Sequence, residues 1–330
     1  HPWAIHIADP SNGKSRRIFR ADEGPGSAFH AVVADRQLFW AANNRLFFPW
    51  EKSGWTQLYS VPTATSAPAQ LHTPGEFEVE HVSLSPDAST IYFSSNQNDI
   101  DRRHAWKLAV GAAKPEPVTS GTNIEWSPSA LSDNKTIVCL RSTTRIPAHP
   151  FGINGDVSKD LALDAIPDNF PAQPIEPKQV IFAAADGTPI HGQLWVPPNP
   201  QNQKLPAVVF FHGGSRRQML LGRHYLYYYS GTYAFNQYLA NIGYVVLSVN
   251  YRSGTGYGLN FREAENYGAT GASEFNDVLG AGLYLRSHPE VDPKRIGVWG
   301  GSYGGYLTAM ALSRASDLFA CGVDIHGVHD

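Results

Sequence analysis

The sequence predicts two unlike domains: an all-β part made of repeated short antiparallel strands, then an α/β part wound around a mostly parallel sheet. Three observations predict this. A turn-punctuated motif recurs along the first half at a spacing of roughly 45 residues. Apolar strand-like runs alternate with helical segments from Val180 onward. The pentapeptide Gly300-Gly301-Ser302-Tyr303-Gly304 stands between one such strand and one such helix.

The repeat comes first. Leu84-Ser85-Pro86-Asp87-Ala88-Ser89-Thr90-Ile91-Tyr92-Phe93 and Leu131-Ser132-Asp133-Asn134-Lys135-Thr136-Ile137-Val138-Cys139 share one pattern, and Ala41-Ala42-Asn43-Asn44-Arg45-Leu46-Phe47-Phe48 is a worn third copy. Strand-like partners lie between them at Trp3 to Ala8, Gln57 to Val61 and His104 to Val110. Short strands with turn punctuation at a period of about 40–50 residues describe the blades of a β-propeller. About three blades are legible, fewer than a closed ring needs, so the propeller is partial. A small β-sandwich is the alternative arrangement of the same strands.

The stretch Ala165 to Pro177 contains four prolines, which interrupt both helix and sheet hydrogen bonding. The boundary is placed there, giving residues 1–172 to the propeller part and 173–330 to the α/β part.

In the second part, strands are predicted at Val180 to Phe182, His191 to Trp195, Ala207 to Phe211, Tyr244 to Val249, Ile296 to Trp299 and Ala320 to Ile325. Helices are predicted near Thr232 to Asn241 and Glu274 to Ser287. In the second helix Phe275, Val278, Leu279, Leu283 and Leu285 form a face for packing on the sheet. Glu274 and Asp277 near its start read as charges that favour a helix N-terminus. The pattern is doubly wound.

Ile296-Gly297-Val298-Trp299 then leads into Gly300 to Gly304, and Tyr306 to Leu312 continues as a helix of good formers. A serine on so sharp a strand-to-helix turn is strained and exposed, beside free backbone N–H groups. Ser302 is therefore the candidate nucleophile. The strand ending at Phe211 runs into His212-Gly213-Gly214, a turn of the kind that supplies the second donor of an oxyanion hole in α/β-hydrolases. Tyr303 and Gly214 are the candidate donors, through their backbone N–H groups.

The runs Asn250 to Gly258, Glu274-Phe275-Asn276-Asp277 and Trp299 to Tyr306 resemble the prolyl oligopeptidase family of serine peptidases, also called peptidase family S9. His212-Gly213-Gly214 is more similar to the acylaminoacyl-peptidase branch than to dipeptidyl peptidase IV, where a tyrosine replaces the histidine and donates its hydroxyl to the oxyanion. That departure favours backbone donors here. The resemblance is strong over roughly the last 150 residues and more diffuse before them. It implies a propeller capping a hydrolase that admits short or unfolded peptides. It also implies a triad aspartate and histidine on loops after later strands. The downstream candidates Asp324, His326, His329 and Asp330 stand where the family has no triad members. The chain is thus expected to be truncated at both ends, its hydrolase domain lacking the C-terminal part, and to be inactive by itself. The strand near Gly322 to Ile325 is then expected to form an exposed sheet edge.

Composition narrows the remaining classes. The formal net charge is −3 over 330 residues and no basic cluster occurs, which gives no case for nucleic acid. No apolar run reaches the roughly 18 residues of a membrane helix, and His1-Pro2-Trp3 does not open a signal peptide; the compartment stays undetermined. Cys139 and Cys321 read as buried free thiols, and the tyrosines from Tyr225 to Tyr229 as cover for a loop or a pocket wall. No cofactor is called for, and His326, His329 and Asp330 match no strong metal pattern. The expected function is a serine peptidase acting on short peptides of aminoacyl, acylaminoacyl or dipeptidyl type through an acyl-enzyme on Ser302. A carboxylesterase on the same fold and a non-catalytic propeller module are the alternatives. The expected partner is a peptide substrate, and homo-oligomerisation is left open.

Overall fold

In the computed structural model the described residues are 2–28, 37–166, 174–199, 201–268 and 271–329. Part of the proline-rich connection and Asp330 therefore lie outside the described residues. The chain divides into two compact units: one holds 1–141, 148–166 and 257–259, the other 142–147, 167–256 and 260–330.

The first unit is built from antiparallel hairpins. Strands β1 (Ala4–Ala8) and β2 (Ser15–Arg20) pair with each other. Three four-stranded sheets follow. The first holds β3 (Phe39–Ala41), β4 (Arg45–Trp50), β5 (Gln57–Pro62) and β6 (Gln70–Leu71). The second holds β7 (Val79–Leu84), β8 (Thr90–Ser95), β9 (His104–Ala109) and β10 (Glu116–Pro117). The third holds β11 (Ile124–Ala130), β12 (Ile137–Ser142), β13 (His149–Asn154) and β14 (Val157–Asp160). In each, spatial order follows chain order, the meander of a propeller blade.

The repeated motif proves to be the turn between the first two strands of a blade. Asp87 Oδ1 accepts hydrogen bonds from the Ser85 and Ser89 hydroxyls, and Asp133 Oδ1 accepts the Lys135 and Thr136 amides. Hydrogen bonds lower both carboxyl pKa values, Asp133 to about 2 through the Thr136 hydroxyl on Oδ2 and then the two amides. The residue after each aspartate, Ala88 or Asn134, takes a positive φ to close the turn. Successive turns touch: the Ala42 amide donates to Ala88 O, and the Asp87 amide to Asn134 Oδ1. Phe47, Leu58, Ile91, Phe93 and Leu108 are sealed in the core of this unit.

The second unit is a six-stranded mixed sheet. In chain order it contains β15 (Lys178–Ala183), β16 (Pro189–Trp195), β17 (Leu205–Phe211), helix α1 (Tyr227–Asn241) and β18 (Val245–Asn250). Then follow α2 (Leu259–Arg262), α3 (Ala272–Ser287), β19 (Val291–Gly301), α4 (Tyr303–Arg314) and β20 (Cys321–Ile325). The strand order is β15-β16-β18-β17-β19-β20; β18, β17, β19 and β20 run parallel, while β15 and β16 form an antiparallel edge. Alternation along the strands divides the two faces. Val245, Leu247 and Val249 join Val278, Leu285 and Leu307 on the side of α3 and α4, while Val246 joins Trp195, Tyr233 and Ala240 of the α1 side. Each such fully buried aliphatic side chain contributes about 1.5–3 kcal/mol.

Three expectations need correction. Cys139 is buried, its thiol pushed up to about 12 by desolvation, but Cys321 is exposed because β20 is the outermost strand of this sheet. On α3, Leu283 faces solvent while Val278, Ala281 and Leu285 are fully buried, so the packing face is narrower than expected. Tyr227, Tyr228 and Tyr229 form the first turn of α1, which starts ahead of Thr232. No helix among the described residues is long and apolar enough to cross a membrane, which says nothing of a β-barrel.

Candidate active site

Strand order places the site. From β17 the chain passes through α1 to β18 on one side, then through α3 to β19 on the other. Such a reversal opens a crevice at the carboxyl ends of the central strands. Phe211 ends β17 and Gly301 ends β19, so the His212-Gly213-Gly214 turn and the Ser302 elbow meet there.

Ser302 lies between β19 and α4 with φ 55° and ψ −117°, a conformation that costs a non-glycine residue on the order of 1–3 kcal/mol. Surrounding contacts hold it there. Its amide donates to Ile325 O at 2.9 Å, and its carbonyl accepts the Tyr306 amide at 3.0 Å as α4 begins. Gly304 is required, because a Cβ there would overlap Phe211 O. Ser302 is exposed, and its hydroxyl has no hydrogen-bond partner among the described residues. The strain therefore presents an exposed hydroxyl at the start of a helix.

The turn after β17 packs directly on it. A Cβ added to Gly213 would lie 3.1 Å from Ser302 Cβ and 2.6 Å from Gly301 O, so only glycine lets the two segments approach. The Gly213 carbonyl accepts the Tyr229 hydroxyl at 3.0 Å and Arg217 Nε at 3.1 Å, while the Tyr251 hydroxyl donates to His212 O at 2.6 Å. The amides of Gly214 and Tyr303 have no protein acceptor among the described residues.

The histidines around the elbow make no hydrogen bond to the Ser302 hydroxyl among the described residues. His212 is sealed, its ring stacked on Tyr251 at 4.3 Å with Nδ1 donating to Gly213 O at 3.3 Å. Burial pushes its pKa down to about 3. Its Nε2 is buried without a partner, so the ring is a neutral wall of the turn. Of the downstream candidates, Asp324 and His329 pair with each other, Nε2 to Oδ2 at 2.6 Å, and Asp324 Oδ1 accepts the Gly327 amide. His326 takes a positive φ after β20, and Asp330 lies outside the described residues. No described imidazole is hydrogen-bonded to Ser302, and no group of three or more His, Cys, Asp or Glu among the described residues is placed to hold a metal.

Glu274 stands in the first turn of α3 as the sequence suggests, but it and Asp277 are both buried and serve as anchors as well. Glu274 Oε1 accepts the Tyr303 hydroxyl at 2.7 Å and the Ser253 hydroxyl at 2.9 Å, and Oε2 accepts the Ser273 hydroxyl at 2.8 Å. Burial and the Glu274 carboxylate raise the Tyr303 phenol pKa, keeping it a neutral donor. Asp277 receives Arg252 through Nε at 2.9 Å, Nη2 at 2.7 Å and the main-chain amide at 2.7 Å. Burial raises the Asp277 carboxyl to about 7 against the pull of Arg252. The elbow's tyrosine and the loop after β18 are both tied to one helix.

The sequence and the fold are similar to those of known proteins. The model of the prolyl oligopeptidase family matches residues 232–330, and that of the dipeptidyl peptidase IV N-terminal region matches residues 4–148. The chain belongs to the prolyl oligopeptidase family. Among relatives in this family, dipeptidyl aminopeptidase BIII of Pseudoxanthomonas mexicana is 30% identical over 203 residues, 59% of this chain and 28% of that protein. A probable dipeptidyl peptidase 4 of Aspergillus flavus is 27% identical over 85% of this chain and 37% of its own length. A puromycin-hydrolysing peptidase of Mycobacterium tuberculosis shares the fold with a TM-score of 0.76 at 20% identity, covering 96% of this chain and 48% of that one. Dipeptidyl peptidase 4 of Porphyromonas gingivalis gives 0.76 at 20%, covering 99% and 45%. The chain thus spans less than half the length of these family members, and its fold is propeller blades followed by an α/β-hydrolase sheet.

Proposed function

We propose that this chain carries the nucleophile and oxyanion hole of a serine peptidase for short peptides. Ser302 Oγ attacks the scissile carbonyl carbon, its proton passing to a general base, and the carbonyl oxygen becomes an oxyanion held by the Gly214 and Tyr303 amides. Collapse expels the amine product, leaving an ester on Ser302 that water then cleaves. The observation that carries this reading is Ser302 itself, exposed at φ 55° and ψ −117° with the glycine turn against its Cβ. The general base and the carboxylate that orients it are supplied from outside the described residues, which by themselves are catalytically silent.

Peptides are favoured over esters by the blades and by relatives named dipeptidyl peptidase and dipeptidyl aminopeptidase. Turnover of aminoacyl and dipeptidyl amides by the full-length protein, set beside short acyl esters, tests this. Amide hydrolysis is expected, lost on the order of 10⁴-fold or more in Ser302→Ala. Ester turnover without amide turnover would point to a carboxylesterase. Activity that survives Ser302→Ala would remove Ser302 from the mechanism.

A further inference from the structure

The two arginines after the glycine turn are used differently. Arg216 is absorbed locally: it pairs with Glu263 at 3.0 Å, donates to Tyr267 Oη at 2.8 Å and stacks on that ring. Arg217 has no carboxylate partner among the described residues. Its Nε donates to Gly213 O at 3.1 Å, and its guanidinium carbon stands 4.8 Å from the centre of the Tyr229 ring. The Tyr229 hydroxyl meets the same carbonyl at 3.0 Å, so one oxygen is gripped by two donors that also support each other. Nη2 lies 3.2 Å from the position of a Cβ on Gly214.

In a trans peptide the C=O and the following N–H point in opposite directions, and this chain has no cis peptides among the described residues. Whatever fixes the Gly213 carbonyl therefore fixes the line of the Gly214 N–H. A glycine pair has little stiffness of its own, so the grip matters more here than in an ordinary turn.

We propose that Arg217, seconded by Tyr229, is a positioning residue for acyl transfer: its grip on the Gly213 carbonyl presets the Gly214 N–H for the oxyanion. Its unneutralised guanidinium also places positive charge beside that donor, where negative charge develops only as the reaction proceeds. The inference rests on the reading of Ser302 as nucleophile and Gly214 as donor.

The test uses the full-length protein and the variants Arg217→Met, Arg217→Lys and Tyr229→Phe, with Arg216→Met as the control. Amide kinetics are measured alongside inhibition by a peptide aldehyde, whose adduct oxygen occupies the oxyanion position, and by the free peptide product. For Arg217→Met, kcat is expected to fall about 10–100-fold with KM within about twofold, and the aldehyde Ki to rise by the same factor while the product Ki holds. Arg217→Lys should recover part of the loss, and Tyr229→Phe should lose less than Arg217→Met. Wild-type kcat and aldehyde affinity in folded Arg217→Met overturn the proposal. Equal losses of aldehyde and product affinity also overturn it, since they indicate general distortion. Fluorophosphonate labelling of the wild type separates the two claims. No adduct on Ser302 defeats the nucleophile assignment and this inference with it; a labelled wild type with unaffected Arg217 variants defeats this inference alone.

Discussion

His212 shows how a residue of apparent catalytic type is spent on structure. Fully buried, stacked on Tyr251 and with a pKa of about 3, it stays neutral where a free imidazole, near 6.5, would charge. Between those values the unfolded chain holds a proton that the native state refuses, so stability is complete above about pH 6.5 and is lost as pH falls toward 3. The full effect is on the order of 5 kcal/mol. His212→Phe keeps an aromatic ring against Tyr251 and removes the titration. Urea melts at a series of pH values are expected to show a shallower acid loss in the variant, and parallel curves would contradict the account. The sharp turn at Ser302-Tyr303 and the glycine turn at Gly214 were legible in the sequence because local spacing dictates an elbow and a glycine turn. Arg217, Tyr229 and Glu274 could not: their partners are set by the fold, as when Glu274 reaches Tyr303 29 residues away, and no periodicity records such a contact.

Among the elements, α3 holds more than its amphipathic face suggests. Its first turns carry Glu274 to the elbow and Asp277 to Arg252, turning two carboxylates into buried crosslinks. Asp277→Ala would leave the Arg252 guanidinium, 9% exposed, with Asp186 as its only carboxylate partner among the described residues, and a loss of about 3 kcal/mol or more in unfolding free energy is expected. Chemical denaturation checks this, and a loss below about 1 kcal/mol would mean the pair is not a crosslink. The long strands were legible because apolar runs such as Pro206 to Phe211 and Val245 to Val249 end in turn residues. The two-residue strands β6 and β10 were not. Their residues are exposed, so burial imprints no pattern on them.

At the scale of the molecule, each part was legible through repetition. The aspartate turns at Asp87 and Asp133 recur because the second and third four-stranded sheets close their first hairpin in the same way, while the first uses Asn43 and Asn44. The α/β part announced itself by strand–helix alternation, but the mixed strand order is set by long-range pairing and had to be seen. Ser302, the two candidate donors and the residues that support them all fall within the second unit. If the elbow presents Ser302 as the nucleophile of the full-length protein, treatment with a fluorophosphonate followed by peptide mass mapping will give one adduct, on Ser302, absent from Ser302→Ala and suppressed by a competing peptide substrate. An adduct on another residue, or none in a protein that still hydrolyses amides, would contradict that assignment.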